Sequence, residues 1–399
     1  MSNVIGRCIL LGFYIVCTLF VPAQCIQEPI KNVVVINENC SQNHVSIQQS
    51  LIVTTLYGTF TVTEPVLIDL FSSAAMQRIK EIEQYGMAVY ANGHGKGYTR
   101  YKHSVGVWAL LRLFGASLHE QIAGLLHDVS HTVFSHVGDY LFAHLSEKCA
   151  YQDDIHEWYL TKQGVDKILA KYNITLADVN PKCGTYLMLE QDSPTICADR
   201  LEYNLHAGIL TGLLEQSDIK RIVDDIRYDD GKWYFLTVKT AVEFATIPLL
   251  NTLFVWGGPT NYVINSYGAD LLRRAMELKI ITLDDIHFST DTVVWQKLNQ
   301  SQDPQIIKDL GNLLNYKAMY EVSDKASADL VIKSKCRGIN PWVKTTKGFE
   351  RLTDVDASFK EMYVKVKAKT AQGWPIRFKA GILADDDEKR RVFCLERSP

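Results

Sequence analysis

Residues 124–136 read GLLHDVSHTVFSH, where three histidines and one aspartate interrupt a run that otherwise looks like the buried end of a helix. Burying polar groups costs free energy unless partners satisfy them. The preceding SLHEQIAGLL has Ser117 and Glu120 at the spacing of a capping box, which predicts a helix that starts at Ser117 and runs into His127. Neighbouring helical side chains diverge by about 100°, so His127 and Asp128 can reach one cation only where this helix ends.

The side chains at this helix end suit a metal ion. An imidazole beside a carboxylate fits a borderline divalent ion such as Mn, Fe, Zn or Mg. A zinc pair of His127 and His131, at HxxxH spacing, is the rival interpretation. The stretch lacks the glutamate of an HExxH motif, and the residues after Asp128 look like an irregular loop.

His103 lies in YKHSVGVWALLRLF, a second stretch with helical periodicity. On a helix it aligns with Val107, Leu110 and Phe114 and therefore faces the core. A hydrogen-bonded core histidine is the alternative to a metal ligand at this position.

Asp199 lies in TICADRLEYNLHAG, where it shares one helical stripe with Tyr203 and His206. An aspartate that points inward from a packing helix requires a cation or an arginine. An ion pair with Arg100 or Arg112 is the alternative to metal binding.

The composition sets the class of protein. The chain has 399 residues, 47% of them hydrophobic, which is enough for one large or two medium domains with a real core. A net charge of −3 gives no signal for nucleic-acid or membrane-surface binding. The nine cysteines form no CxxC pair, and eight of the eleven histidines lie between residues 94 and 156. Such clustering favours metal binding or acid–base chemistry.

The N-terminus has the pattern of a signal peptide. CILLGFYIVCTLFVPA, residues 8–23, carries no charge but is shorter than the roughly 20 residues of a spanning helix. A basic residue before it and small residues near Ala23 predict a signal peptide over residues 1–25. We expect the protein to be exported, periplasmic or secreted, if this leader functions, and cytoplasmic otherwise.

The remaining pattern predicts the domain organisation. After a linker over 26–50, LIVTTLYGTFTVT predicts a hairpin, and helical periodicity defines a core over 51–217. A helical region over 218–320 contains RYDDGKWYFLTV, a hairpin with Asp-Gly at its turn, and a break at GGP (257–259). The extension over 321–399 contains YVKVKAKT (363–370), whose alternation predicts a strand.

Three stretches together are recognisable: YTRYKHSVGV, LLHDVSHTVFSH and ADRLEYNLHAG. They resemble the H…HD…D pattern of HD-domain metal-dependent phosphohydrolases, in particular the branch of SAM-and-HD-domain dNTP triphosphohydrolases and dGTPase-like proteins. LYGTFTVTEPVLIDLFSSAAMQRIKEIEQYG and ITLDDIHFSTDTVVWQKLNQSQDP extend the resemblance over about residues 52–317. The resemblance implies a mainly α, HD-domain helical fold with small β-hairpins and a mixed α/β C-terminal extension.

The resemblance also implies roles for individual residues. The metal ligands would be His103, His127, Asp128 and Asp199. His156 would be the acid–base catalyst, His131 and His136 would lie beside the phosphates, and Asp139 would orient an imidazole. Substrate would be bound by Arg100 and Arg200 at phosphate and by Gln84 and Tyr203 at the sugar, although Tyr203 as a plain core aromatic is the alternative.

The expected function is metal-dependent hydrolysis of a phosphate ester in a nucleotide, for example dNTP cleavage to deoxynucleoside and triphosphate. The stretch FVWGGPTNYVI (254–264) departs from the family because it lacks the arginine of the triphosphate-binding helix. A non-catalytic HD module that binds a nucleotide is the alternative, and a scaffold with structural zinc is a third. The resemblance further implies a homo-oligomer.

Overall fold

The computed structural model describes residues 50–146 and 150–379, which begin with the predicted hairpin. The predicted signal peptide and nearly all of the predicted linker lie outside these residues. Strands β1 (Leu51–Thr55) and β2 (Gly58–Val62) pair antiparallel, with Thr55 opposite Gly58, so this hairpin prediction is confirmed. Fully buried Trp108 packs edge-on against Phe60 of this hairpin and against Phe71, which joins the hairpin to the helical core.

The core that follows is helical, as the sequence predicts. Its helices are α1 (Pro65–Phe71), α2 (Ala74–Arg78), α3 (Met87–Asn92), α4 (Arg100–Leu113), α5 (Leu118–Leu126), α6 (Val137–Leu141), α7 (Tyr151–Asp154), α8 (His156–Lys162), α9 (Val165–Ala170) and α10 (Ala198–Leu210). Helix α4 packs against both α5 and α10. These three helices carry the four predicted metal ligands or end next to them.

Ser117 caps α5 as predicted, because its side chain accepts a hydrogen bond from the backbone N–H of Glu120. The other hydrogen bond of a capping box, from the backbone N–H of Ser117 to the Glu120 carboxylate, does not replace the tertiary contacts of Glu120. The Glu120 carboxylate instead accepts hydrogen bonds from the backbone N–H groups of Met188 and Leu189, at 2.9 and 3.0 Å. A tertiary partner has therefore replaced the local one.

The next region is also helical. Its helices are α11 (Gln216–Asp225), α12 (Val238–Asn251), α13 (Pro259–Glu277), α14 (Leu283–Phe288), α15 (Asp291–Gln300) and α16 (Pro304–Leu314). A π-helical turn, Thr252–Trp256, follows α12, and the helix is interrupted at the predicted Gly-Gly-Pro before α13 begins. The segment Val238–Trp256 is long and apolar enough to span a membrane, and half of it is buried within the structure.

Two more sheets lie in the described part of the chain. Strands β3 (Ile226–Asp229) and β4 (Lys232–Phe235) form the second predicted hairpin, with Asp230 and Gly231 at φ 47° and 71° in its turn. Strand β7 (Trp342–Thr345) pairs parallel with β4 and antiparallel with β8 (Gly348–Arg351). The third sheet has the order β5-β9-β6, from the strands β5 (Tyr320–Val322), β6 (Leu330–Ile332) and β9 (Trp374–Phe378).

The strand predicted over residues 363–370 is wrong. These residues lie within α18 (Ala357–Gln372), which follows the short helix α17 (Leu352–Val355). Asp356 caps α18 by accepting a hydrogen bond from the backbone N–H of Phe359. Phe359, Val366 and Thr370 are buried at helical spacing, whereas Val364 is exposed. The helical period is visible only over the longer window. The mainly α fold with small β elements is otherwise confirmed.

Candidate metal centre

Local backbone geometry brings the predicted ligands together. His103 lies in the first turns of α4, and Asp199 is the second residue of α10. Helix α5 ends at Leu126 with His127 as its C-cap, so the chain turns there and both His127 and Asp128 face inward. The geometric condition that the sequence sets for a shared cation is met.

The donor atoms of the four side chains converge. The Nε2 atom of His103 lies 3.2 Å from Nε2 of His127 and 3.0 Å from Oδ1 of Asp199. The His127 Nε2 atom lies 3.6 Å from Oδ1 of Asp199. Asp128 closes the group, with its carboxylate oxygens 3.5 Å and 3.6 Å from the two Nε2 atoms. Donors bound to one ion at about 2.1 Å lie about 3.0 to 3.5 Å apart, so these separations fit a shared divalent cation.

The outer hydrogen bonds of both histidines show which nitrogens face the centre. Nδ1 of His127 donates to the carbonyl of Gly124 at 2.7 Å, and Nδ1 of His103 donates to Glu202 at 2.5 Å. With each Nδ1 used as a donor, both Nε2 atoms face one another and two carboxylates, where each can bind a proton or a metal ion. His103, His127 and Asp199 have the donor geometry of a metal site, and Asp128 lies beside them.

The carboxylates of the centre favour positive charge there, whether a proton on His103 or a bound metal ion. Burial by itself lowers the pKa of His103, but the hydrogen bonds to Asp199 and Glu202 raise it to about 10. Burial by itself raises the pKa of Asp128, but the charges of Arg100, His127 and His131 hold it well below its usual range. Carboxylates that stay ionised in a buried site attract positive charge to it.

Glu202 is a site residue that sequence reasoning missed. It is fully buried, and besides His103 its carboxylate accepts hydrogen bonds from the Tyr98 hydroxyl at 2.5 Å and from His206 at 2.8 Å. Although burial raises the pKa of Glu202, His206 and His103 lower it to about 2, so it is ionised. Its position three residues after Asp199 was the available signal. A Cβ at Gly106 would lie 2.3 Å from Oε1 of Glu202, so only glycine fits at this position of α4.

Arg100, which the sequence predicts to bind phosphate, forms an ion pair with a carboxylate of the centre. Its guanidinium is 3% exposed and donates to Oδ2 of Asp128 at 2.6 Å. The carboxylate of Asp128 thereby neutralises the charge of Arg100. It also donates to Ser135 Oγ at 3.0 Å. The alternative in which Asp199 pairs with an arginine is wrong, because Arg100 binds Asp128 and Arg112 binds Glu64.

Two adjoining cavities lie at the site, and the four donors line the smaller one. The metal-side cavity, about 150 Å³, is lined by the donors together with His131, Asp153, Lys182 and Glu190. The aromatic cavity, about 260 Å³, is lined by Tyr85, Tyr98, Tyr140, Trp256 and Tyr262. Four residues line both cavities: Gln84, His136, Tyr203 and Arg337. Gln84 and Tyr203 thus border both cavities, and their contact with a substrate sugar stays a prediction.

Three further predicted residues lie together at these cavities. His131 is 2% exposed, its Nε2 lies 3.3 Å from Oδ1 of Asp128, and burial lowers its pKa to about 3. His136 is half exposed, and its Nδ1 donates to Oδ2 of Asp139 at 2.9 Å. Asp139 orients an imidazole as predicted, and that imidazole belongs to His136.

His156 and Arg200 are not among the residues that line the two cavities. Nδ1 of His156 lies 3.0 Å from Oγ of Ser130, and burial lowers its pKa to about 4. The role of His156 as acid–base catalyst therefore stays a prediction. Arg200 donates to the carbonyl of Thr195 and to Glu190, so the structure does not support its predicted phosphate contact.

The comparisons with known proteins agree with the centre. An HD-domain family model matches residues 100–168. The chain is 37% identical over 256 residues to a protein of Cordyceps militaris named metal-dependent phosphohydrolase cns2, covering 63% of this chain and 73% of the relative. It is 33% identical over 97 residues to deoxynucleoside triphosphate triphosphohydrolase SAMHD1 of Xenopus laevis, covering 21% of this chain and 15% of that protein.

A solved structure shares the fold. The crystal structure of a phosphohydrolase from Bacteroides thetaiotaomicron has a TM-score of 0.57 and 15% identity, covering 82% of this chain and 98% of that one. The relative from Cordyceps militaris, the HD-domain match and the cluster of His103, His127 and Asp199 together establish the family and its metal dependence. This chain belongs to the HD-domain metal-dependent phosphohydrolases.

Proposed function

We propose that the protein hydrolyses a phosphate ester of a nucleotide, with the phosphate in the metal-side cavity and the nucleoside in the aromatic cavity. The observation that carries this proposal is the aromatic cavity itself, which adjoins the metal-side cavity and shares Gln84 and Tyr203 with it. Planar aromatic rings bind a nucleobase by stacking or edge contact. A phosphate ester without a base would leave this wall unused.

The residues of the aromatic cavity have the groups that a nucleoside needs. Tyr203 packs edge-on against Trp256, with ring centroids 5.5 Å apart. The side-chain Oε1 of Gln84 is buried and has no hydrogen-bond partner within the described part of the chain. A sugar hydroxyl that donated to this oxygen would satisfy it, which is the contact that a nucleoside supplies.

The residues of the metal-side cavity have the groups that hydrolysis needs. A divalent ion held by His103, His127, Asp128 and Asp199 would lower the pKa of a water molecule and offset negative charge on a phosphoryl oxygen. Glu202 and Gly124 hold the two imidazoles with Nε2 toward that position. His136, oriented by Asp139, is the half-exposed imidazole that lines both cavities, which suits it to proton transfer at the ester.

A hydrolysis panel tests this proposal. Purified protein is assayed with Mn or Mg on dNTPs, nucleoside monophosphates and glycerol phosphate, and the products are separated so that phosphate and triphosphate are distinguished. We expect release from at least one nucleotide at a rate more than tenfold above glycerol phosphate, and no release with a chelator. Triphosphate as the product would identify dNTP triphosphohydrolysis.

Two results would contradict the proposal. Equal rates on glycerol phosphate and on nucleotides would remove the role of the aromatic cavity. Nucleotide binding without turnover under every metal condition would favour the non-catalytic HD module.

A further inference from the structure

The cationic side chains of the metal-side cavity differ in whether a carboxylate already neutralises them. Arg100 lies 2.6 Å from Asp128. Lys182 lies 2.9 Å from Glu190 and 3.5 Å from Asp153. The third cation, Arg337, forms no ion pair within residues 50–146 and 150–379, and its side chain is exposed.

Arg337 belongs to an irregular segment of the C-terminal extension, Lys333–Arg337 with the sequence KSKCR, which borders the aromatic cavity. The three basic residues of this segment, Lys333, Lys335 and Arg337, all line that cavity. Of these three, only Arg337 also lines the metal-side cavity. Arg337 therefore borders both cavities, as Tyr203 does.

The balance of charges in the metal-side cavity shows how an unpaired cationic side chain affects phosphate binding there. Four carboxylates, those of Asp128, Asp153, Glu190 and Asp199, face three cationic side chains. If the metal-bound imidazoles are neutral, these side chains and a divalent ion together carry one net positive charge. Without Arg337 the net charge would be zero. An incoming phosphate dianion would then meet a lining without net positive charge.

A second observation points to a ligand at the same segment. Ser334 Oγ is buried at the aromatic cavity and has no hydrogen-bond partner within the described part of the chain. Gly257 lies directly against it, because a Cβ there would come within 2.5 Å of this oxygen. A hydroxyl held in place without a partner is available to a polar group of a bound molecule.

We propose that Arg337 is the phosphate-binding arginine of this protein, which completes its site with a residue from the C-terminal extension. This inference rests on the proposed function, and it assigns the scissile phosphate to a contact with Arg337. A planar guanidinium can bind two phosphoryl oxygens at once, which an ammonium group cannot do. The segment supplies the cation that the stretch 254–264 lacks.

The test measures phosphate binding separately from turnover. Equilibrium dialysis with radiolabelled inorganic phosphate is performed on the Mn-loaded full chain, as wild type, Arg337→Gln, Arg337→Lys and Lys347→Ala. Lys347 lies in the exposed turn between β7 and β8, lines neither cavity, and is the matched control. We expect the dissociation constant to rise at least tenfold in Arg337→Gln, less in Arg337→Lys, and less than twofold in Lys347→Ala, at equal metal content and melting temperature.

Three other outcomes are possible, and each decides either the role of Arg337 or the proposed function. Phosphate affinity in Arg337→Gln within twofold of wild type, or no phosphate binding by the wild type, would overturn the role of Arg337. Phosphate binding that depends on Arg337 in a protein that hydrolyses no nucleotide would support this role and contradict the proposed function.

Discussion

Glu202 holds His103 in the tautomer that a metal ligand needs, because a carboxylate 2.5 Å from Nδ1 keeps the proton there. We expect Glu202→Gln to weaken Mn binding by about ten- to a hundredfold, the usual effect of losing such an outer carboxylate. Metal titration of the purified variant measures this. Glu361→Gln, which alters an exposed glutamate paired with Lys365, is the control. Wild-type Mn affinity in Glu202→Gln would show that His103 does not depend on this contact.

The sequence predicted the four donors but missed Glu202, and it gave no signal that Arg337 lines the cavities. His103, His127, Asp128 and Asp199 stand in stretches whose combined spacing is specific to one family, and the structure brings them together. Glu202 escaped because a single glutamate on a helix is most often a solvated residue. Arg337 lies 138 residues after Asp199 in a segment without secondary structure, so only the tertiary fold brings it to the cavities.

At the scale of one helix, Gly106 tests how closely α4 and α10 must approach. Alanine in a helix interior is usually more stable than glycine by about 0.5–1 kcal/mol. At Gly106 the added Cβ would lie 2.3 Å from Glu202, so we expect Gly106→Ala to lower the free energy of unfolding by roughly 1–3 kcal/mol. Urea unfolding measures this change.

Gly311→Ala is the matched control for that substitution. Gly311 lies inside α16, and a Cβ there meets no atom within 4 Å. We expect this variant to be more stable than wild type by about 0.5–1 kcal/mol. A similar gain in Gly106→Ala would mean that α4 and α10 can separate without cost.

The errors at the element scale share one physical cause. Alternation over 363–370 predicted a strand, but Phe359 and Thr370, outside or at the end of that window, complete a helical face. The spacing of Ser117 and Glu120 predicted a local capping box, but the backbone of Met188 and Leu189 binds the Glu120 carboxylate instead. In both cases the decisive partner lies outside the stretch that was read.

For the whole molecule, His156 makes folding stability depend on pH. Its pKa is about 4 in the folded protein, because burial disfavours the charged ring, and about 6.5 in the unfolded chain. The unfolded chain therefore binds more protons between these values, and stability falls as pH drops from about 6.5 to 4. We expect His156→Asn to reduce this fall by at most about 3 kcal/mol.

Urea unfolding between pH 4.5 and 7.5, with a chelator so that metal release does not contribute, measures that slope. His119→Asn, at an exposed position of α5, is the control. An unchanged slope in His156→Asn would show that this histidine takes up a proton equally well in the folded protein.

The central claim is that four side chains hold one metal position on which phosphate release depends. Elemental analysis and a phosphate-release assay on the same samples of wild type, Asp128→Asn and Asp224→Asn test it most directly. Asp224 is exposed and paired with Lys220, so its variant should retain both metal and activity. We predict that Asp128→Asn loses bound metal and at least a hundredfold of the phosphate-release rate together. A variant of Asp128 that kept wild-type metal content and wild-type activity would contradict the account.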